Sequence, residues 1–441
     1  MGKRLFDAIG LGLLNMKPLH ADIIAVGSEL LLGGRLDSNS VFVAHLLAEC
    51  GIEVRKKISV GDQKGDIQEA LRGSLKRAHV IVLTGGLGST LDDCTREAVA
   101  ATLQCPLLKR KKAYDNLQAC YRRFGRPVTP LLARQAFLPS GATMLANTVG
   151  TAPGFLMRSG QSVIIALPGV PREAKVMMVS QVQPILRKLF NSNRHYWQHT
   201  FQTFGLPETD VQRQLNPVSK DYGNIQFGIL ASPRGVMVTV SCWVSGGRPS
   251  SVKELSPFFP EWDHLILQIR ECLGPWLFAE GERTMEEVVG DALRGRSWTL
   301  ALAESCTGGL VAHRLTGVPG SSRYVDRGVV SYSNEAKREL MGVPASTLRR
   351  YGAVSSQVAM AMAKGIRMRS RVDVGVGVTG IAGPGGGTLK KPVGLVYGAI
   401  DGPQGPQCQC WRFHGDRAEI TLKTSQAVLD LIRRYANEAA F

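Results

Sequence analysis

The chain has 441 residues, of which 44% are hydrophobic, and a formal net charge of +17. A single core rarely serves more than about 250–300 residues, so we expect two or three domains. No apolar run approaches the roughly 18 residues that span a bilayer, and we expect no membrane segment. Residues 1–19 lack a signal-peptide pattern and are interpreted as an N-terminal extension. The nine scattered cysteines are typical of reduced thiols in a cytoplasmic protein.

The positive charge favours anionic partners, namely nucleotides, nucleic acid or an acidic membrane surface. A solvated basic surface is the alternative explanation. The basic clusters at 109–112 and at Arg367, Arg369 and Arg371 contain no interleaved aromatic residues, which weakens the case for a single-strand stacking platform. Helix-turn-helix and zinc-finger spacings are also missing from the sequence. We therefore expect small anionic molecules as partners and keep nucleic acid as an alternative.

Residues 20–185 alternate short apolar runs with amphipathic stretches. The runs at 22–27, 79–84 and 163–167 predict buried strands, and the stretches at 38–50 and 95–103 predict helices. Asp37 or Ser38 is the expected cap of the first helix. Continuous apolar strands joined by helices are typical of a parallel sheet covered on both faces. The sequence therefore predicts an α/β domain of three layers around a parallel sheet.

A glycine-rich loop follows the second of these strands and precedes a helix. The residues are Thr84-Gly85-Gly86-Leu87-Gly88. The backbone amides of such a loop are suited to bind phosphate. We expect Thr84, Gly85, Gly86 and Gly88 to contact a phosphate-bearing substrate.

Two adjacent carboxylates, Asp92 and Asp93, come directly after this loop. They would repel a phosphate unless a divalent cation lay between them. Glu29, Asp62 and Glu173 lie at other strand ends and supply further oxygen ligands. We predict a magnesium-bridged pyrophosphate, with Asp92, Asp93, Glu29 and Asp62 as the metal ligands. The alternative is that Asp92 or Asp93 caps the helix that follows.

The pattern changes over residues 190–282. Strand-like runs lie at 201–204 and 236–243, an amphipathic helix is expected near 265–273, and 245–251 is a predicted loop. We interpret this part as a small α+β module that links two larger domains.

Residues 284–441 return to an α/β pattern. A helix is expected at 355–368. The expected strands are 298–303, 328–332, 372–378 and 394–400.

Three consecutive nucleophiles, Ser305, Cys306 and Thr307, follow the first of these strands, and Gly308-Gly309 opens a helix. If the stretch is extended, Ser305 and Thr307 face one way and Cys306 the other. The free amides of the helix start can stabilise an oxyanion or bind an anion. The pattern predicts a hydrolase site in which Thr307, Gly308 and Gly309 contact the substrate. A plain strand-to-helix turn is the alternative.

A serine hydroxyl needs a base, and Lys337 is the best candidate, because burial or neighbouring charge can lower the pKa of a lysine. We expect Asn334 to cap a helix, which places Lys337 in its first turn, where the helix dipole disfavours the charged form. Asn334 is also a candidate substrate contact. Tyr332 could relay a proton or orient the lysine.

A second glycine-rich loop covers residues 379–387 and follows a buried strand. Five glycines within nine residues favour a phosphate or ribose cradle over a simple hairpin. Lys390 and Lys391 add positive charge just beyond it. The expected substrate contacts are Thr379, Gly380, Ile381, Ala382 and Gly383.

These motifs resemble the carboxy-terminal domain of the CinA (competence/damage-inducible protein A) family. They are AESCTGG at 303–309, YSNEAK at 332–337, GAVS at 352–355, VTGIAGPGGG at 378–387 and KPVG at 391–394. The resemblance implies a nicotinamide mononucleotide amidohydrolase that forms nicotinate mononucleotide and ammonia and needs no cofactor. It also implies that Ser305 is the nucleophile, Lys337 its base and Tyr332 a supporting residue. Thr421 departs from the pattern, since relatives often carry arginine there.

The amino-terminal motifs resemble the other CinA domain. They are VGSELLLG at 26–33, DSN at 37–39, TGGLGSTLDD at 84–93 and PGVPRE at 168–173. The resemblance implies a molybdopterin-binding-like fold over residues 20–185. In some relatives this domain is a metal-dependent ADP-ribose pyrophosphatase that yields AMP and ribose 5-phosphate, so magnesium or cobalt is the expected ion. Ser89 stands where relatives usually have proline, and Leu132 replaces a usual asparagine.

The leading interpretation is a cytoplasmic enzyme of pyridine-nucleotide salvage that acts on nicotinamide mononucleotide and ADP-ribose. Both substrates are by-products of NAD consumption. Domains of this kind often assemble, and we expect a homo-oligomer. Two alternatives are a non-catalytic partner in DNA uptake or recombination, and a protein that binds a pterin or nucleotide without hydrolysis.

Overall fold

The computed structural model describes residues 18–123, 125–190, 192–223, 225–245 and 261–437. All but the last two residues of the predicted extension at 1–19, and all but the first residue of the predicted loop at 245–251, lie outside this part of the chain. The chain divides into two units. One holds the described residues 18–197 and 243–245, and the other holds 198–242 and 261–437.

The strands of the first unit follow the apolar runs of the sequence. They are β1 (Leu19–Val26), β2 (Ile52–Val60), β3 (Val80–Thr84), β4 (Leu107–Lys109), β5 (Phe137–Pro139), β6 (Thr143–Leu145), β7 (Gly154–Ser159) and β8 (Ser162–Leu167). Among the described residues, six of them form a sheet of order β2-β1-β3-β8-β7-β6, and β4 pairs with β5. β1, β2, β3 and β8 run parallel to one another. β7 runs antiparallel to β8, and β6 runs antiparallel to β7.

Helices cover both faces of this sheet. They are α1 (Ser28–Leu31), α2 (Ser38–Glu49), α3 (Lys64–Leu75), α4 (Thr95–Thr102), α5 (Lys111–Arg123), α6 (Pro130–Ala133), α7 (Pro171–Met177) and α8 (Gln183–Phe190). Side chains alternate across each strand. Ile23 therefore packs with Leu47 of α2 on one face, and Ile24 packs with Leu71 of α3 on the other. The predicted three-layer α/β fold is confirmed.

The next segment is α+β, as predicted. Its elements are β9 (Arg194–Thr203), α9 (Glu208–Asp221), β10 (Gln226–Ser232), β11 (Gly235–Ser245), α10 (Trp262–Leu273) and β12 (Leu277–Glu280). The strands, as far as they are described, form a four-stranded sheet of order β10-β11-β9-β12. The buried face of α10 carries Trp262, Leu265 and Ile269, which is the amphipathic pattern that the sequence predicts there.

The rest of the second unit is again α/β. Its elements are α11 (Met285–Arg296), β13 (Leu300–Glu304), α12 (Leu310–Thr316), β14 (Val325–Val330), α13 (Asn334–Met341), α14 (Ala345–Tyr351), α15 (Ser356–Ser370), β15 (Val374–Gly380), β16 (Leu395–Asp401), β17 (Gln407–Arg412) and α16 (Arg417–Asn437). Within 261–437 they include a five-stranded sheet of order β14-β13-β15-β16-β17. No helix in the described part of the chain is both long and apolar enough to cross a membrane.

The two edge strands of this sheet differ from the sequence prediction. β14 begins at Val325, earlier than the predicted strand at 328–332, and β17 was missed. Three residues of β14 are exposed, namely Asp326, Arg327 and Gly328. In β17, glutamines alternate with cysteines over residues 407–410. An edge strand exposes more of its side chains, so it lacks the continuous apolar run that marks β13 and β15.

The parallel strands place three functional segments at one edge of the sheet. β13 pairs in parallel with β14 and with β15, so the residues that follow each strand lie at the same carboxyl edge. These segments are 305–309, 331–337 and 381–394.

Candidate active site

Ser305 follows β13, a strand whose residues are all buried. Residues 305–307 form a buried turn rather than the extended stretch that the sequence predicts. The chain turns here because α12 begins shortly afterwards at Leu310, after two glycines with φ angles of 61° and 97°. Such positive φ angles favour glycine. The turn fixes the serine hydroxyl at the carboxyl edge of the sheet.

Lys337 reaches Ser305 from α13, and its Nζ lies 3.0 Å from Ser305 Oγ. The prediction that Asn334 caps this helix was wrong. Ser333 is the cap, and its hydroxyl accepts a hydrogen bond from the amide of Ala336 at 3.0 Å. The cap lies one residue earlier than expected because Ser333 has the extended backbone of an N-cap and Asn334 is already helical. The amide of Lys337 donates to the carbonyl of Ser333. The lysine therefore lies in the first turn of the helix, as predicted.

Burial disfavours the charged form of Lys337. The residue is 1% exposed, and burial lowers the pKa of its amino group below the ordinary lysine value. Besides Ser305 Oγ, Nζ contacts the carbonyl oxygens of Ser331 at 2.6 Å and Tyr332 at 3.3 Å. A neutral amine has two N–H donors and one lone pair. Once the amine is neutral, the two carbonyls can take both donors, and the lone pair is left to accept the proton of Ser305, as a general base requires.

The neighbouring thiol does not share this arrangement. Cys306 is 8% exposed, and burial raises the pKa of its thiol to about 12. Because the thiolate is the nucleophilic form of cysteine, a thiol that stays protonated at neutral pH is a poor nucleophile. Ser305 is therefore the better candidate of the two.

The sequence analysis expected the amides at the start of α12 to be free, and this expectation was wrong. The carboxylate of Glu304 accepts hydrogen bonds from the amides of Gly309 at 3.0 Å, Val311 at 3.2 Å and Ala312 at 2.8 Å. Glu304 is 1% exposed. A carboxylate of the chain itself thus satisfies the helix start and its positive dipole end. The sequence analysis missed Glu304, although an acidic residue between an apolar strand and a glycine-opened helix was a usable signal.

Thr307 lies in the same turn. It is 3% exposed, and its Oγ1 has no hydrogen-bond partner among the described residues. A buried hydroxyl without a partner costs roughly 1–3 kcal/mol. Its role as a substrate contact, like those of Gly308, Gly309 and Asn334, stays a prediction, and the unpaired hydroxyl is compatible with it.

The hydroxyl of Tyr332 does not contact Lys337, and the predicted relay or orienting role stays a prediction. The residue is 60% exposed, and its Oη accepts a hydrogen bond of 2.5 Å from Arg417 Nη2. Tyr332 lies two residues beyond the end of β14, and it reaches the lysine through its carbonyl oxygen.

Arg417 is a site residue that the sequence analysis missed. It begins α16 and donates a second hydrogen bond, of 2.7 Å, to the carbonyl of Gly383. Arg417 therefore joins Tyr332 to the second glycine-rich loop. The sequence analysis singled out Thr421 and not Arg417, although an arginine at the start of a helix was a usable signal.

The second glycine-rich loop is anchored to the sheet at its base. Gly380 ends β15, and the hydroxyl of buried Thr379 donates to the carbonyl of Ala353 at 2.9 Å. The main chain of Ile381 bonds to Leu395 and Gly394 across the base, at 2.9 and 2.7 Å. Ala382 is buried.

A lysine also fastens this loop. Lys391 Nζ donates to the carbonyl oxygens of Tyr351 at 2.6 Å and Val354 at 2.7 Å. The expected positive charge of Lys391 is therefore bound to main-chain carbonyls, and its structural effect is to hold the loop against residues 351–354.

The first glycine-rich loop, in the other unit, depends on glycine. Gly85 and Gly86 follow Thr84 with φ angles of 102° and 64°. A Cβ on Gly85 would lie 2.1 Å from the carbonyl oxygen of Val26, so a larger residue does not fit. Thr95 closes the loop, because its hydroxyl donates to the carbonyl of Gly85 at 2.9 Å.

A buried arginine holds the remainder of this loop. Arg96 is 0% exposed, and it donates to the carbonyls of Leu87 at 2.5 Å and Gly88 at 2.8 Å. Burial lowers the pKa of its guanidinium group. The sequence analysis did not single out Arg96, since an arginine in an amphipathic helix usually lies in solvent.

The alternative that Asp92 or Asp93 caps the following helix is wrong. That helix, α4, begins at Thr95, and the residue before it, Cys94, makes no side-chain cap. Asp93 instead accepts a hydrogen bond from the amide of Thr90 at 2.9 Å. Asp92 is exposed.

The predicted metal ligands are Asp92, Asp93, Glu29 and Asp62. Asp62 accepts a hydrogen bond from the amide of Ser28 at 2.7 Å, and Glu173 accepts one from Asn147 at 2.6 Å. Within the described ranges, no group of three or more His, Cys, Asp or Glu side chains is placed to hold a metal ion. Metal binding at these carboxylates therefore stays a prediction.

Two family models match the chain. The model described as CinA C-terminal domain matches residues 282–436, and the model described as Probable molybdopterin binding domain matches residues 22–188. A relative from Halothermothrix orenii is 38% identical over 416 residues, which are 94% of this chain and 98% of the relative. The chain belongs to the CinA family.

Further proteins resemble the whole chain or one part of it. A CinA-like protein from Geotalea uraniireducens is 37% identical over 411 residues, covering 93% of this chain and 96% of the relative. The crystal structure of the competence/damage inducible protein CihA from Agrobacterium tumefaciens is 43% identical, and the match covers 35% of this chain and 96% of that one at a TM-score of 0.34.

Proposed function

We propose that this CinA protein hydrolyses the carboxamide of nicotinamide mononucleotide to nicotinate mononucleotide and ammonia. The observation that carries the proposal is the 3.0 Å contact between Lys337 Nζ and Ser305 Oγ. Burial lowers the pKa of that lysine, which supports its use as a base near neutral pH. Membership of the CinA family, whose carboxy-terminal domain has this activity in relatives, supports the choice of substrate.

The reaction follows from the hydrogen bonds of the amine. Ser305 Oγ bonds to the carboxamide carbon while its proton passes to Lys337 Nζ. The tetrahedral adduct then expels the nitrogen, to which Lys337 returns the proton, and ammonia leaves an ester on Ser305. Water attacks this ester and gives a proton to Lys337. That proton returns to Ser305 Oγ as the acid is released.

The second glycine-rich loop is the proposed receptor for the ribose phosphate. Arg417 contacts this loop at Gly383 and carries a positive charge at its edge, which suits a phosphate monoester. Lys391 holds the loop against residues 351–354 by donating hydrogen bonds to the carbonyls of Tyr351 and Val354. In this proposal the loop orients the substrate, and the Ser305–Lys337 pair performs the chemistry.

The test is release of ammonia from nicotinamide mononucleotide in the presence of a chelator. The parent should turn over, and Ser305→Ala and Lys337→Ala should each lose at least about a thousandfold in kcat, as removal of a nucleophile or its base does. Cys306→Ala is the matched control beside the nucleophile and should retain turnover. Undiminished hydrolysis by Ser305→Ala would overturn the proposal.

For the other unit we propose binding of a phosphate-bearing ligand at residues 84–88. The support is the glycine-dependent shape of the loop and its bonds to Thr95 and Arg96. Hydrolysis of ADP-ribose with magnesium or cobalt is the finer proposal, which rests on the family resemblance alone. AMP release from ADP-ribose that disappears on chelation and in Asp92→Asn would support it. No release with either ion would reject it.

A further inference from the structure

An open cavity of about 760 Å³ lies against α15. Met360 and Met368 of this helix and Val372, which precedes β15, form an apolar part of its wall. β13 and β15 run parallel. Val372 precedes its strand and Ser305 follows β13, so the two lie at opposite edges of the sheet. A five-residue strand separates these edges by roughly 17 Å, and the cavity is therefore distinct from the proposed catalytic site.

The same cavity is strongly basic. Lys364, Arg367, Arg371 and Asp401 line it, so three cations face one carboxylate and leave a net charge of +2. Arg367 pairs with Asp401 at 3.2 Å. Lys364 and Arg371 make no ion pair or hydrogen bond with the described part of the chain. Two cations beside an apolar wall are thus available to a ligand.

The backbone at Arg371 is a second, independent observation. Arg371 ends α15 in the left-handed region, with φ 55° and ψ 43°. Glycine is the favoured residue at such a helix end, because a residue with a Cβ is strained there. Gly342 takes the equivalent position after α13. The side chain of Arg371 is exposed and unpaired, so the fold gains nothing visible from an arginine at this point.

We propose that this cavity binds an organic phosphate monoester with a planar, largely apolar body, of which a nucleoside monophosphate is the type. A phosphate monoester carries about −1.5 to −2 charges at pH 7, which matches the net charge of the lining. Arg371 and Lys364 bind the phosphate, and the thioethers of Met360 and Met368 pack against the base. Small-molecule sites typically measure about 300–1,000 Å³, and the volume of this cavity lies in that range.

The experiment is a calorimetric titration of the full chain with guanosine 5′-monophosphate. Arg371→Gly is the key variant, because glycine relieves the left-handed strain and should keep or raise the melting temperature. Arg371→Gly and Lys364→Gln should each weaken binding at least tenfold. Arg349→Gln, an exposed arginine of α14 that does not line the cavity, is the control of equal charge and should bind as the parent does.

Two further titrations locate and define the ligand. Guanosine and inorganic phosphate, offered separately, should each bind at least tenfold more weakly than the nucleotide. Binding that is lost in Arg417→Gln but kept in Arg371→Gly would place the nucleotide at the second glycine-rich loop and overturn the proposal. Absence of saturable binding by the parent at millimolar concentration, or equal binding by the parent, Arg371→Gly and Lys364→Gln, would also overturn it.

Discussion

Replacement of Glu304 by glutamine should weaken both the fold and the activity of the second unit. The carboxylate lies between β13 and α12 and immediately precedes Ser305. Its Oε2 accepts from the amides of Gly309 and Val311, and its Oε1 accepts from Ala312. A glutamine at this position keeps one oxygen to accept from the amides of Gly309 and Val311. Its NH2 group would face the amide of Ala312, and because both groups are donors, no hydrogen bond can form there.

The size of the effect follows from these contacts. A hydrogen bond to a charged group contributes about 1.5–3 kcal/mol net, and a neutral one about 1 kcal/mol. Glu304→Gln loses one charge-assisted bond and weakens two, so it should cost about 3 kcal/mol. Glu304→Ala leaves all three amides unpaired and should cost about 5 kcal/mol. In a unit of roughly 200 residues, 1 kcal/mol shifts the melting temperature by about 2–4 °C, which gives about 6–12 °C for the glutamine variant.

Calorimetric melting and ammonia release measure the two consequences. Loss of the fixed turn at Ser305 should lower kcat by about tenfold or more, because small misplacements of a nucleophile are costly. Glu335→Gln removes the same charge from an exposed ion pair with Arg338 and should change the melting temperature by less than about 1–2 °C. If Glu304→Gln melts and turns over like the parent, the capping carboxylate does not hold the nucleophile.

Four further predictions concern Lys337, Tyr332 and Lys391. Turnover should rise with pH as Lys337 loses its proton, with its midpoint below the ordinary lysine value of 10.5 because burial lowers the pKa. Because the folded lysine releases its proton at a lower pH than the unfolded one, the free energy of unfolding should increase as pH rises from the folded pKa to 10.5, and this contribution should be lost as pH falls through the folded pKa; melting curves against Lys337→Met check the sign. Tyr332→Phe should lower kcat less than tenfold, as its hydroxyl does not contact the base, and a thousandfold loss would contradict that geometry. Lys391→Met leaves the carbonyls of Tyr351 and Val354 unpaired and releases the second glycine-rich loop from residues 351–354, so it should raise KM for nicotinamide mononucleotide more than it lowers kcat; an unchanged KM would argue against the loop as the phosphate receptor.

The interior strands were predictable and the edge strands were not. Residues such as Ile23, Ile24 and Ile165 are buried on both faces of a sheet, so their strands appear in the sequence as continuous apolar runs. β17 alternates glutamine and cysteine at a sheet edge, and no apolar run marks it. The boundary of β14 was misplaced for the same reason.

The Ser305–Lys337 pair could be inferred from motif and spacing, but its supporting bonds could not. Parallel strands bring residues 305 and 337 to one edge, and the pattern predicts that much. Whether Tyr332 points at the lysine or at Arg417 depends on side-chain directions that spacing does not encode. The prediction of free amides at the start of α12 was wrong, because the side chain of Glu304, the last residue of β13, accepts hydrogen bonds from them.

Acid-quenched mass analysis tests the central claim, a serine nucleophile activated by a neutral lysine, most directly. The protein is quenched during turnover of nicotinamide mononucleotide, and its peptides are weighed. The account predicts a peptide containing Ser305 that is heavier by the mass of the substrate minus ammonia, and its absence in Ser305→Ala. An adduct on Cys306, or ammonia release without an adduct at any quench time, would contradict it.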